Sequence, residues 1–198
     1  MHILFVCTGN ICRSPTAERL VTAYATANLP NPTELTASSV GIHAVVGNPM
    51  EPTAEMVLSG LGGDGRNFRA RQITEDQVAA ADVIFTMTRH HRNKVLNGSP
   101  RTLPRTFTLR EAHALLSAVR VDALSDPANL TQRGRDLVAE MGRLRATRIP
   151  SARRSDDIGD PIGRDIDTFL RIGDDIAESL LPWLAVCCGV DQNAHSSV

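Results

Sequence analysis

The chain has 198 residues, 42% hydrophobic and 22% charged, with a formal net charge of −1. That length suits one domain, or one domain with an elaborated insertion, and suffices to bury a substantial core. The near-neutral charge excludes the bulk electrostatics of a nucleic-acid or anionic-membrane binder, and no apolar stretch is long enough to span a bilayer.

The chain opens "MHILFVC", without a charged leader or cleavage site, so it reads as cytoplasmic. Its four cysteines, Cys7, Cys12, Cys187 and Cys188, then read as buried, metal-binding or reactive thiols rather than disulfides. "HILFVC" is the continuous apolar run of a central parallel strand. "SPTAERLVTAYATAN" follows as a helix, with Ser14 able to cap and Pro15 fitting the first helical position. "LTASSVGI" is a second strand and "EPTAEMVLSGLG" a short helix. "DVIFTM" is a third strand and "TRHHRNKVLN" a helix; "RTFTL" is a short fourth strand and "LREAHALLSAV" a helix. Around residues 122–155 the composition shifts to Asp, Pro, Arg and Ser about the helical run "TQRGRDLVAEMGRL", an insertion packed on the domain or a flap. "RDIDTFLRIGDDIAESLLPWL" is a long last helix, and residues 187–198 form a tail expected to be disordered. The alternation predicts an α/β domain over 1–186: a doubly wound, four-stranded parallel sheet flanked by helices, with an anion-binding loop after the first strand.

That loop, "VCTGNICRSP", places Cys7 and Arg13 six positions apart between a buried strand and a helix start. A chain wrapping back there turns successive backbone N–H groups inward, and the helix N-terminus adds its positive end. Gly9 and Asn10 tolerate the left-handed conformations such a wrap needs. Arg13 can contact two phosphate oxygens at once, and Cys7 lies at the base of a cradle that favours negative charge on sulfur. A thiolate below a bound phosphate is placed for in-line attack on phosphorus, and Ser14 can donate a hydrogen bond to the sulfur. Two Asp-Pro pairs, Asp126-Pro127 and Asp160-Pro161, could supply a general acid, and residue chemistry alone leaves that choice open.

"LFVCTGNICRSPTAE" resembles the phosphate loop of the low-molecular-weight protein tyrosine phosphatases, bacterial type. The resemblance extends through "SSVGIHA", "GNPMEPTAEMVL", "FRARQIT", "ADVIFTMTRHHR" and "DDIGDPIG". It implies hydrolysis of phosphotyrosine in proteins through a cysteinyl-phosphate, without metal or organic cofactor, on a phosphorylated protein or small aryl phosphate. Cys7 is implied as nucleophile, Arg13 as phosphate clamp and Asp160 as general acid. Thr8, Gly9, Asn10, Ile11, Cys12 and Ser14 are implied as the phosphate-binding loop, and Ser39 as the support of Asn10. Cys12 also stands where the family can trap an oxidised nucleophile. The chain departs from the family after Asp-Pro, where Ile162 and Gly163 replace aromatic residues, and at Phe68, where a histidine is frequent.

Alternative activities are a protein-arginine phosphatase, a branch that carries threonine where this chain has Ile11, and a non-catalytic phosphate-binding module. Arsenate reduction would need further cysteines, and none lies between residues 13 and 186. His90 and His91 are read as unable to form a metal site, and Arg69 and Arg71 as a solvated face.

Overall fold

The computed structural model describes residues 1–147 and 156–190. Strands β1 (His2–Cys7), β2 (Thr36–Gly41), β3 (Val83–Thr86) and β4 (Thr106–Thr108) alternate with helices α1 (Arg13–Asn28), α2 (Pro52–Gly60), α3 (Glu75–Ala80), α4 (Arg89–Gly98), α5 (Leu109–Leu116), α6 (Leu130–Thr147) and α7 (Ile166–Cys188). The strands form one parallel sheet in the order β2-β1-β3-β4. This is the α/β arrangement expected from the sequence.

Strand side chains alternate between faces, and here both faces are buried, which is why Ile3–Val6 of β1 and Val83–Phe85 of β3 are unbroken apolar runs. Ile3 and Phe5 join the larger core with α1, α2, α5, α6 and α7; Leu4 and Val6 join the smaller one with Val78, Ala81 and Val95. At the centre of the larger core Trp183 meets Phe85 edge-on, with ring centroids 5.1 Å apart, and its Nε1–H points at Met141 Sδ.

Several boundaries and one helix differ from expectation. Helix α3 was not foreseen; at six residues it is too short for a hydrophobic period, and its signal is the capping box of Thr74 and Gln77. Ser14 does not cap α1. The N-cap position falls on Cys12, and the Ser14 hydroxyl is used elsewhere. In the 122–155 segment, α6 contributes Leu137 and Met141 to the main core, while residues 148–155 lie outside the described residues. Cys187 and Cys188, placed in the tail from the sequence, are instead buried in the last turn of α7, which closes on Gly189 at φ 66°. Residues 191–198 lie outside the described residues.

Two features place the functional loop. From β1 the chain crosses by α1 to β2 on one side, while β3 pairs on the other, so the loop after Cys7 opens where the strand order diverges. At Gly41, where β2 ends beside it, an added Cβ would stand 2.4 Å from the Thr8 carbonyl oxygen, so only glycine permits this approach.

Candidate active site

The loop from Cys7 to Ser14 is shaped by what its carbonyls do. Those of Cys7, Thr8, Gly9 and Ile11 accept N–H bonds from Ile42, His43, Val45 and Glu51, at 3.0, 3.0, 3.0 and 2.7 Å. Segment 42–51 thus holds the carbonyl side of the loop and leaves the opposite side to N–H groups. Asn10 makes the turn possible with φ 55°, a left-handed conformation asparagine tolerates. Its own N–H lies 3.3 Å from Cys7 Sγ.

A chain of buried polar side chains runs to the same sulfur, and its polarity can be derived from one end. The Glu18 carboxylate only accepts, so the Ser39 hydroxyl donates to it at 2.6 Å, beside Arg71 Nη2 at 2.7 Å. Ser39 Oγ must then accept from Asn10 Nδ2, at 2.8 Å. That fixes the amide: Asn10 Oδ1 accepts the Arg71 backbone N–H at 2.7 Å, and Nδ2 also donates to Ser14 Oγ at 3.0 Å. The Ser14 hydroxyl then has two acceptors in reach, Cys7 Sγ at 2.8 Å and, at the longer 3.5 Å, the Val40 carbonyl, and the shorter contact is to the sulfur. Cys7, Asn10, Ser14 and Ser39 are all essentially without solvent exposure.

Buried Arg13 spans two groups of the segment before α7. Its Nη2 contacts Asp160 Oδ2 at 2.6 Å and its Nη1 the Ile158 carbonyl at 3.2 Å, while Nε is buried with no protein partner. That segment is tied down at Ile158, whose N–H donates to the Met87 carbonyl at 2.7 Å just beyond β3, and at Asp157, which accepts the Arg89 N–H at 2.7 Å. Asp160 is therefore brought to the loop by anchors from β3 and α4, and its side chain remains half exposed.

The other sequence candidate for the acid is far away. Pro127 packs against Gly189, at the opposite end of α7. A helix of 23 residues is roughly 35 Å long at 1.5 Å per residue, so Asp126 and Cys7 do not share a site. Cys12 is buried beside Thr16, Ala54, Val57 and Phe169; burial and the neighbouring Cys7 push its thiol up, against ionisation. Thr8, Gly9 and Ile11 lie on the open side of the loop, and a Cβ at Gly9 would touch Val45 and Ile11. Val45, beside Gly9, and Ile162, whose N–H donates to Asp160, are exposed apolar side chains.

Three contributors escaped sequence reasoning. Arg71, read as a solvated residue, is instead paired with Glu18 at 2.7 Å, and Glu18 itself was not singled out. His91, set aside as no metal ligand, is buried with Nε2 3.0 Å from the Thr8 hydroxyl. Among the described residues no group of three or more His, Cys, Asp or Glu side chains is placed to hold a metal ion, and no helix is long and apolar enough to cross a membrane. The arrangement is a cationic, N–H-lined anion cradle with a sulfur at its base and a carboxyl group at its rim.

Comparison with known proteins identifies the family. Residues 2–141 match the family described as "Low molecular weight phosphotyrosine protein phosphatase". The chain is 33% identical over 148 residues to a probable low molecular weight protein-tyrosine-phosphatase of Ralstonia nicotianae, an alignment covering 73% of this chain and 96% of the relative. It is 30% identical over 135 residues to a protein-arginine-phosphatase of Geobacillus stearothermophilus, covering 68% and 86%. Among solved structures it is similar to the low molecular weight protein tyrosine phosphatase from T. tengcongensis, with TM-score 0.65, 25% identity, and 93% and 97% of the two chains covered.

Proposed function

The chain belongs to the low molecular weight phosphotyrosine protein phosphatase family, and from that premise we propose that it hydrolyses phosphotyrosine in proteins by way of a phosphorylated Cys7. Cys7 Sγ attacks phosphorus as the S–P bond forms and the P–O bond to the leaving phenol breaks. Asp160 gives its proton to that oxygen. Water then attacks the cysteinyl-phosphate, Asp160 takes a proton from it, and the sulfur leaves as thiolate toward the Ser14 hydroxyl. The loop N–H groups and the Arg13 guanidinium, including Nε, bind the transferring oxygens. Ser39, through Asn10, keeps the loop in shape.

The observation that carries this reading is the convergence on one sulfur of the Ser14 hydroxyl and the Asn10 N–H, in a loop whose buried Arg13 is paired with Asp160. It also argues against a merely phosphate-binding module, which has no use for a carboxyl group beside its arginine. Phosphotyrosine is preferred over phosphoarginine because Ile11 and Val45 beside the loop and Ile162 next to Asp160-Pro161 offer apolar contact to an aryl group. Phosphorylated proteins are the partners of this reading, small aryl phosphates its laboratory surrogates, and the cytoplasm its setting.

The test is turnover of phosphotyrosine, phosphoarginine and phosphoserine peptides by the wild type and by Cys7→Ser. Cys7→Ser is expected to lose at least about 10⁴-fold in kcat while still binding inorganic phosphate. Retained turnover would sink the assignment, and a faster reaction on phosphoarginine would replace the substrate.

A further inference from the structure

Helix α4 presents His91 and Val95 inward, four residues apart on one face, toward β1 and the loop that follows it. His91 is 2% exposed. Both of its ring nitrogens are engaged: Nδ1 lies 2.8 Å from Thr88 Oγ1 and Nε2 lies 3.0 Å from Thr8 Oγ1. Thr88 caps α4, and its oxygen already accepts the His91 backbone N–H at 3.2 Å. A Thr88 hydroxyl that gives its proton to Nδ1 goes with the Nε2–H tautomer of the imidazole. Nε2–H in turn donates to Thr8 Oγ1.

Thr8 directly follows the nucleophile. Its carbonyl is held by the His43 N–H, and its backbone N–H donates to no protein group among the described residues. With Oγ1 accepting from His91, the Thr8 hydroxyl proton points away from the helix. We propose that His91 is a positioning residue for phosphoryl transfer: through Thr8 Oγ1 it fixes the Cys7–Thr8–Gly9 backbone so that the N–H groups of this turn face the phosphoryl oxygens. The cap of α4 and the base of the cradle thereby become one unit. Burial and the nearby Arg13 hold the imidazole neutral down to about pH 4, so the bond keeps one polarity across the neutral range.

This role rests on the phosphatase reading above, and the test separates the two. Wild type, His91→Phe, His91→Gln, Thr8→Val and the double variant His91→Phe/Thr8→Val are compared on an aryl phosphate, with inorganic phosphate as competitive inhibitor. An inactive wild type overturns the phosphatase reading itself. With an active wild type, His91→Phe is expected to lower kcat/KM about tenfold and to weaken phosphate inhibition by a similar factor, the loss of one ordinary hydrogen bond. His91→Gln, whose amide can replace Nε2–H, is expected to recover most of both. In the Thr8→Val background, His91→Phe is expected to add little, because the partner it acts through is gone. Unchanged phosphate inhibition in His91→Phe, or full additivity in the double variant, overturns the proposal. If His91→Phe does not fold, His91→Ala is measured in its place, with the same outcomes.

Discussion

Two Asp-Pro turns lie near the two ends of α7, each beside a buried arginine, and they do different things. At Asp126–Pro127 the carboxylate accepts the Ala128 N–H, and the nearby Arg133 gives Nε to the Val186 carbonyl and Nη1 to that of Ser125. At Asp160–Pro161 the carboxylate also accepts a local N–H, from Ile162, but its second oxygen reaches Arg13, whose Nε is left without a protein partner. The arginines are equally buried, at 5% and 4% exposure. The difference lies in satisfaction. Arg133 spends its donors on backbone carbonyls and joins two pieces of chain. Arg13 keeps a buried donor in reserve beside a sulfur, which is a structural liability unless an anion uses it.

The sharpest way to break this comparison is to treat both arginines alike. Arg13→Lys is expected to lower kcat by about 10³-fold, because a point charge cannot replace the two-pronged contact. Arg133→Lys is expected to leave kcat unchanged and cost about 2 kcal/mol in urea denaturation, as carbonyls lose their donor. Equal kinetic effects would erase the distinction. The aspartates come next. Asp160→Asn is expected to slow an aryl phosphate with a poor leaving group by about 10²-fold, and one with a good leaving group far less. Asp126→Asn should stay within about twofold on both; the reverse pattern in a leaving-group series would exchange their roles.

Acid separates the two ends more gently. At the catalytic end His91 is held neutral, with its pKa lowered from 6.5 to about 4, first by burial and then by Arg13 and His90. Between those values the unfolded chain binds a proton the folded one refuses. Its contribution is therefore complete above pH 6.5 and lost as pH falls toward 4, up to about 3 kcal/mol. At the other end Asp136 is held below 3.8 by the Ser125 hydroxyl and Gln132, so its contribution is lost only below that pH. Denaturation midpoints are expected to fall between pH 6.5 and 4 in the wild type and to fall less in His91→Gln; parallel curves would count against a buried neutral imidazole.

The loop was legible because its parts are contiguous. Cys7, Asn10, Arg13 and Ser14 lie within eight residues, and the strand before them and helix after them fix their directions. The polar relay was not. Glu18 meets Arg71 across 53 residues and His91 meets Thr8 across 83, and no local pattern encodes such pairings. Arg71 reads as a surface residue because 42% of its side chain is one. His91 did carry a signal, its spacing with Val95 on the inner face of α4, but a histidine on an apolar face is ambiguous until its neighbours are known. The two Asp-Pro turns look alike in sequence because both are locally the same turn. What separates them is the length of α7 and the anchor between Ile158 and Met87.

The stitching of the loop carbonyls to residues 42–51 has a consequence for where the backbone breathes. This stretch has little regular secondary structure, yet the amides of Ile42, His43, Val45 and Glu51 are all donors to the loop. In hydrogen–deuterium exchange it is therefore expected to be the slow partner and the cradle the fast one. Oxyanion binding would raise protection on the cradle side while leaving the stitched side as it was. The loop is held from behind by amides that never meet its ligand, so the pocket is preformed.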